Sequence, residues 1–222
     1  MATNGWLLSP KLGEQLVDAG LDQVNISLDF NGTQHDKFRN LPGLFHPIEK
    51  TVPQLKNLGL CPVLTCCVMR KNVDSILPLV RLAEAWGMEV GFSCYSRLKT
   101  NDESDAVAKE QLSQIHQIVE TLCEWKKKRR IIKSSCSYLR KIPEFFEKGK
   151  LGTCEATKTW LYIAPDGCLK ICPDKSIYAH YKDYAGSLNI ACGDCWYTCR
   201  GEMETPFFER FFWEVRNRKK YR

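Results

Sequence analysis

Cys154, Cys172, Cys192, Cys195 and Cys199 are the residues of this chain best suited to chemistry. Six of the twelve cysteines fall between positions 154 and 199. Twelve residues separate Cys154 from Gly167, and four more lead to Cys172. Between the two cysteines, Trp160-Leu161-Tyr162-Ile163-Ala164-Pro165-Asp166-Gly167 reads as a strand running into a turn. A hairpin there would carry Cys154 and Cys172 toward each other. Downstream, Cys192-Gly193-Asp194-Cys195 is a knuckle that would complete a four-thiolate cage. Such a cage holds iron–sulfur clusters or zinc, and spacing alone does not separate the two. It would serve metal-dependent chemistry, electron transfer or a structural staple.

The elements that must position these thiols alternate helix and strand. Ser9-Pro10 is a helix start and Gly20 a helix stop, which predicts a helix over 10–19. Residues 24–29 follow as a strand. A second helix is expected over 44–58, weakened or kinked by Pro53. The apolar run 62–69 is a strand, Asn72 caps a helix over 73–86, and 88–93 is a strand. Strands separated by helices of this length imply parallel pairing. Apolar runs of this kind imply strands covered on both faces. After a polar linker over 94–104, a long amphipathic helix is expected over 105–128. Helices over 136–148 and roughly 205–219 follow. The reading is an α/β fold in two parts, 1–130 and 131–222.

Composition narrows the function classes. Hydrophobic residues make up 44% and charged residues 26%, ordinary for a globular protein. No apolar run approaches the ~20 residues of a membrane span. The N-terminus has neither a basic nor an apolar signal region, so a cytoplasmic chain is expected, with its cysteines as metal ligands rather than disulfides. The net charge of +6 is concentrated in Lys126–Arg130 and Arg216–Arg222. Both runs follow helical patterns and read as solvated helix ends, so nucleic acid is not an expected partner. Cys61, Cys66, Cys67, Cys94, Cys123 and Cys136 lie among apolar residues and read as buried free thiols. His35 and His46 are expected to cap or pack in a loop, and His116 to be structural. His180, in the Tyr-rich stretch from Tyr178 to Tyr184, fits the substrate side and surface packing equally.

Several motifs in order resemble the radical S-adenosylmethionine (SAM) enzymes. They are Thr3-Asn4-Gly5-Trp6-Leu7-Leu8, Ile26-Ser27-Leu28-Asp29, and His35-Asp36-Lys37-Phe38-Arg39 ahead of Pro42-Gly43. Val68-Met69-Arg70-Lys71-Asn72 continues the series. Cys154, Gly167 and Cys172 resemble the SPASM or twitch extension that holds an auxiliary iron–sulfur cluster.

The resemblance implies a partial (β/α) barrel, its second half only, over 1–130. A SPASM/twitch-like α+β domain would occupy 131–222. It implies that Ser27, Asp29, Thr3 and Thr65 line the SAM site, at the strand ends where ligands of such barrels sit. From the residues alone Ser27 and Asp29 read as strand-end caps of the next loop, and it is the resemblance that makes them site residues. It also implies an auxiliary [4Fe-4S] cluster on Cys154, Cys172, Cys192 and Cys195, with Cys199 in reserve. In the complete enzyme a 5′-deoxyadenosyl radical would act on substrate, which in relatives is a peptide, a nucleotide or a small metabolite. The chain departs from the pattern in lacking the family's Cys-x3-Cys-x2-Cys and Gly-Gly-Glu segments. Its Cys192–Cys199 spacing is the reverse of the first. The expectation is therefore an N-terminally truncated member, inactive alone, or one whose missing barrel half comes from a separate chain. The rival expectation is a non-catalytic, zinc-stapled module that binds RNA or a protein.

Overall fold

A computed structural model describes residues 1–209 and 211. Four parallel strands form the main sheet in the order β1 (Ala2–Thr3), β2 (Gln23–Ser27), β3 (Cys61–Val68) and β4 (Glu89–Cys94). Helix α1 (Pro10–Asp18) crosses from β1 to β2. Helices α2 (Thr33–Arg39) and α3 (Phe45–Leu55) cross from β2 to β3, and α4 (Ile76–Ala85) from β3 to β4. Spatial order equals chain order, so each strand pairs with the next one along the chain through a helical crossover. Helices α5 (Leu112–Lys128) and α6 (Cys136–Lys148) follow. A second sheet then pairs β5 (Tyr162–Ile163), β6 (Cys168–Lys170) and β7 (Ile177–His180) antiparallel, and α7 (Thr198–Met203) comes after it.

Local chemistry sets the ends of these elements. Ser9 Oγ accepts from Leu12 N at 3.2 Å while Pro10 opens α1, and Gly20 turns the chain at φ 83°. Ser135 Oγ accepts from Tyr138 N at 3.0 Å to start α6, which Gly149 ends at φ 68°. Pro53 sits inside α3, which tightens into a 3-10 turn over Lys56–Leu58 soon after it.

Three expectations are corrected. The long helix starts at Leu112 rather than 105, after a 3-10 turn over Lys109–Gln111. The segment before it is held out of helix because Asp105 O accepts from Arg70 N at 2.8 Å and its carboxylate pairs with Lys71. Helix α2 occupies a stretch read as loop, because Asp36 caps the following turn through Gly43 N and Phe45 N. The strands are not apolar on both faces throughout: β2 buries Val24 and Ile26 completely but leaves Gln23, Asn25 and Ser27 half-buried. The helix expected over 205–219 lies for the most part outside the described residues.

One apolar core runs from Leu8 through the sheet and α3–α6 to Trp196. A smaller one gathers Cys154, Ala156 and Ile190, with Trp160, Ile171 and Cys192 packed against them. Among the described residues no helix is long and apolar enough to cross a membrane.

Candidate metal centre beside the strand ends

Parallel strands aim their C-terminal ends, and the loops after them, at one rim. Ser27, Thr65 and Gly91 are register partners across β2, β3 and β4, so the two hydroxyls share one face of the sheet near that rim. Thr3 registers with Ile26 instead, one residue out of phase with Ser27. Ser27 and Thr65 are therefore brought together, and Thr3 is set on the alternate face of the edge strand.

Asp29 follows β2 and is 1% exposed. Its Oδ2 accepts from the Arg39 guanidinium at 2.5 Å and its Oδ1 from Cys67 N at 2.9 Å. The Asp29 N–H donates to His35 Nδ1 at 3.3 Å. Asn72 closes the group: its Nδ2 donates to Asp29 O at 3.3 Å and Cys67 O at 2.8 Å, and its Oδ1 accepts from Met69 N at 2.9 Å. Asp29 thus ties the end of β2 to the end of β3. His35 is fully buried, and burial lowers its pKa to about 4, which keeps it neutral at pH 7. Cys66 and Cys94 are buried, and burial pushes both thiols well up, as inert packing groups require.

The cysteine module is zipped to itself by backbone. Cys154 N donates to Cys192 O at 2.8 Å and Leu151 N to Gly193 O at 3.0 Å. A Cβ on Gly193 would stand 2.0 Å from Leu151 O, so only glycine permits this pairing inside the knuckle. Cys154, Cys172 and Cys195 are buried, Cys192 is half-buried and Cys199 is exposed. Electrostatic interaction links Cys154 with Cys192, Cys195 and Cys199, and Cys172 with Cys192 and Cys199. The five sequence-selected cysteines are thus linked pairwise. Burial raises the pKa of Cys154 and Cys172, and drives Cys195 to about 12.

Sequence reading passed over the residues that dock this module. Trp196, next to Cys195, is 1% exposed and stacks on Tyr138 of α6 at 5.5 Å. Thr198 Oγ1 donates to Phe92 O of β4 at 2.6 Å, and Ser96 Oγ donates to Asp194 O at 2.9 Å. These bonds hold the Cys192–Cys199 segment against the C-terminal part of β4 and the loop after it. Arg200, 1% exposed, donates to Cys195 O at 2.8 Å, to Gly152 O and to Glu204 Oε1 at 2.8 Å. It also interacts electrostatically with Cys154 and Cys195. Cys168, also passed over, lies in β6 opposite His180, and its thiol hydrogen-bonds Asp166.

The donor set suits a thiolate-bound group. Thiols made costly to ionise by burial need a positive partner to become ligands, and Arg200 supplies only part of that charge. Among the described residues no group of three or more His, Cys, Asp or Glu is arranged to hold a metal ion.

No family model matches the chain. It is 30% identical over 176 residues to the AdoMet-dependent heme synthase of Methanosarcina barkeri, covering 76% of this chain and 49% of that protein. It is 30% identical over 190 residues to molybdenum cofactor biosynthesis protein 1 of Bos taurus, covering 78% and 28%. The chain thus spans at most about half the length of these relatives. The solved structure of anSMEcpe with bound AdoMet superposes with a TM-score of 0.61 at 13% identity, covering 96% of this chain and 57% of that one.

Proposed function

The chain belongs to the radical SAM family, and on that premise we propose that it supplies part of the strand barrel and the auxiliary iron–sulfur module of an AdoMet-dependent radical enzyme. One observation carries the reading. The Cys192–Cys199 segment, to which Cys154 is paired by backbone, is fastened beside the C-terminal end of β4, the strand next to β3 and its Thr65.

Cys154, Cys172, Cys192 and Cys195 are the proposed ligands of a [4Fe-4S] cluster, with exposed Cys199 in reserve. The resemblance of Cys154, Gly167 and Cys172 to the family's auxiliary-cluster extension supports iron–sulfur over a zinc ion in the same four-thiolate set. Buried Arg200 offsets part of the cluster's negative charge. Ser27 and Thr65 offer hydroxyls to AdoMet from their shared face of the sheet. Asp29, engaged by Arg39 and Cys67, holds the strand ends in place. When bound, AdoMet and a reduced catalytic cluster supply hydrogen-abstracting radical chemistry. The segments that bind that second cluster in the family are not in this sequence. Among the described residues β1 has a neighbour on one side only, and further parallel strands would complete the sheet there.

The test is iron, zinc and acid-labile sulfide per chain after anaerobic reconstitution. The expected result is about four irons and four sulfides, lost in both Cys154→Ala and Cys195→Ala. One zinc without sulfide overturns the reading and makes the module a structural staple for a binding surface.

A further inference from the structure

A cleft of about 470 Å³ opens between the loop after β4 and the β6–β7 hairpin. Leu98 and Lys99 form one wall, and Lys170 with the turn from Pro173 to Ile177 forms the other. Ser96 ties the first wall to the knuckle: its Oγ accepts from Leu98 N at 3.3 Å and donates to Asp194 O at 2.9 Å. The hairpin loop is closed by the pairing of Lys170 with Ile177 and by Lys175 N, which donates to Cys172 O at 3.2 Å. Cys172 therefore lies within the loop that makes the second wall.

Charge sets what the cleft accepts. Lys99, Lys170 and Lys175 line it, against one lining carboxylate, Asp174. Lys170 Nζ donates to Pro173 O at 3.0 Å and stands 5.9 Å from the centre of the Tyr162 ring. A carbonyl and an aromatic face hold the ammonium group in place without cancelling its charge, and leave it N–H groups to donate. Lys175 Nζ is 3.7 Å from Asp194 Oδ2, beyond hydrogen-bond length, and its side chain is 32% exposed. A loose, solvent-screened pair of this kind contributes little and yields to a second anion. Lys99 is exposed on the opposite wall. Ammonium groups on two walls of one cleft concentrate anions there. They also hold a ligand with two negative groups more firmly than a ligand with one.

We propose that this cleft binds a small organic dianion, held through phosphate or carboxylate groups by Lys99, Lys170 and Lys175, beside Cys172. That the anion belongs to the substrate of the radical reaction rests on the function proposed above; the anion binding itself does not.

The test is lysine acetylation of the full, anaerobically reconstituted chain, read by peptide mapping. It is run in increasing inorganic pyrophosphate, glutarate or acetate at constant ionic strength. The expected result is protection of Lys99, Lys170 and Lys175 by pyrophosphate or glutarate and not by acetate. Protection by pyrophosphate alone assigns the cleft to phosphates, and protection by glutarate alone to dicarboxylates. Lys127 and Lys128, exposed at the end of α5, should stay reactive throughout. Lys99→Gln and Lys170→Gln should each raise the anion concentration for half-protection of the remaining lysines about tenfold, with circular dichroism unchanged. No protection of the three lysines, or equal protection of Lys127 and Lys128, overturns the proposal. Iron and sulfide are counted on the same samples. Protection without a cluster upholds the anion site and overturns the radical-enzyme reading, and a cluster without protection overturns the site alone.

Discussion

Trp196 and Tyr138 are locked to each other twice over: Trp196 Nε1 donates to Tyr138 O at 3.0 Å, and Tyr138 OH donates to Trp196 O at 3.2 Å. Their rings stack with 17° between planes. This pair joins the cysteine module to the main core, so it should set both stability and cluster retention. Trp196→Ala removes a fully buried ring and is expected to cost about 3–5 kcal/mol. Tyr138→Phe keeps the stack, loses the hydroxyl's bond to Trp196 O and its weak contact with Cys94 Sγ, and should cost about 1 kcal/mol. Urea unfolding checks both values. Iron retention should fall in the first variant and hold in the second.

Gly193 tests the knuckle without touching a ligand. Its Cβ position collides with Leu151 O, a backbone atom that moves only if the 151–154 and 192–193 pairing opens. Gly193→Ala is expected to cost about 1–3 kcal/mol and to reduce bound iron below half of the unmodified chain's, with the helical circular dichroism signal retained. Iron equal to that of the unmodified chain would show that the pairing does not shape the site.

His35 gives a pH dependence of known sign. Its pKa is 6.5 when unperturbed and about 4 in the fold. Between those values the unfolded chain binds a proton that the folded chain excludes. Stability from this group is therefore full above about pH 6.5 and declines as pH falls toward 4, by up to about 3 kcal/mol. His35→Asn retains an acceptor for the Asp29 N–H and removes the titration. Unfolding free energies from pH 4 to 7 should slope more steeply in the unmodified chain than in this variant.

Arg39 and Asp29 should behave as one unit. Arg39→Ala strands the Asp29 carboxylate, buried to 1% exposure, while Asp29→Asn keeps an acceptor for Cys67 N and loses the charge. Because the Arg39 side chain is 35% exposed, solvent screens the pair and each single change is expected to cost about 1–3 kcal/mol. A double-mutant cycle should return a coupling of about 1 kcal/mol or more. Additive losses would separate the two residues.

The sequence by itself determined the local features. Ser9-Pro10 and Gly20 bound α1, and apolar periodicity placed the three long strands and α6, because capping and side-chain spacing act within a few residues. Cysteine spacing likewise singled out five thiols that interact pairwise. Asn72 was read as the cap of a helix over 73–86, but it lies inside a 3-10 turn over Arg70–Ser75, α4 starts only at Ile76, and the Asn72 side chain bridges Asp29 and Cys67 instead. Only the tertiary structure decided that the knuckle docks on β4, through partners 98 and 106 positions apart in sequence, or that Trp196 finds Tyr138 across 58. It also decided that Asp29 is engaged by Arg39 and Cys67. Such contacts depend on how sheet and helices close on a shared core, and no local period or spacing encodes them.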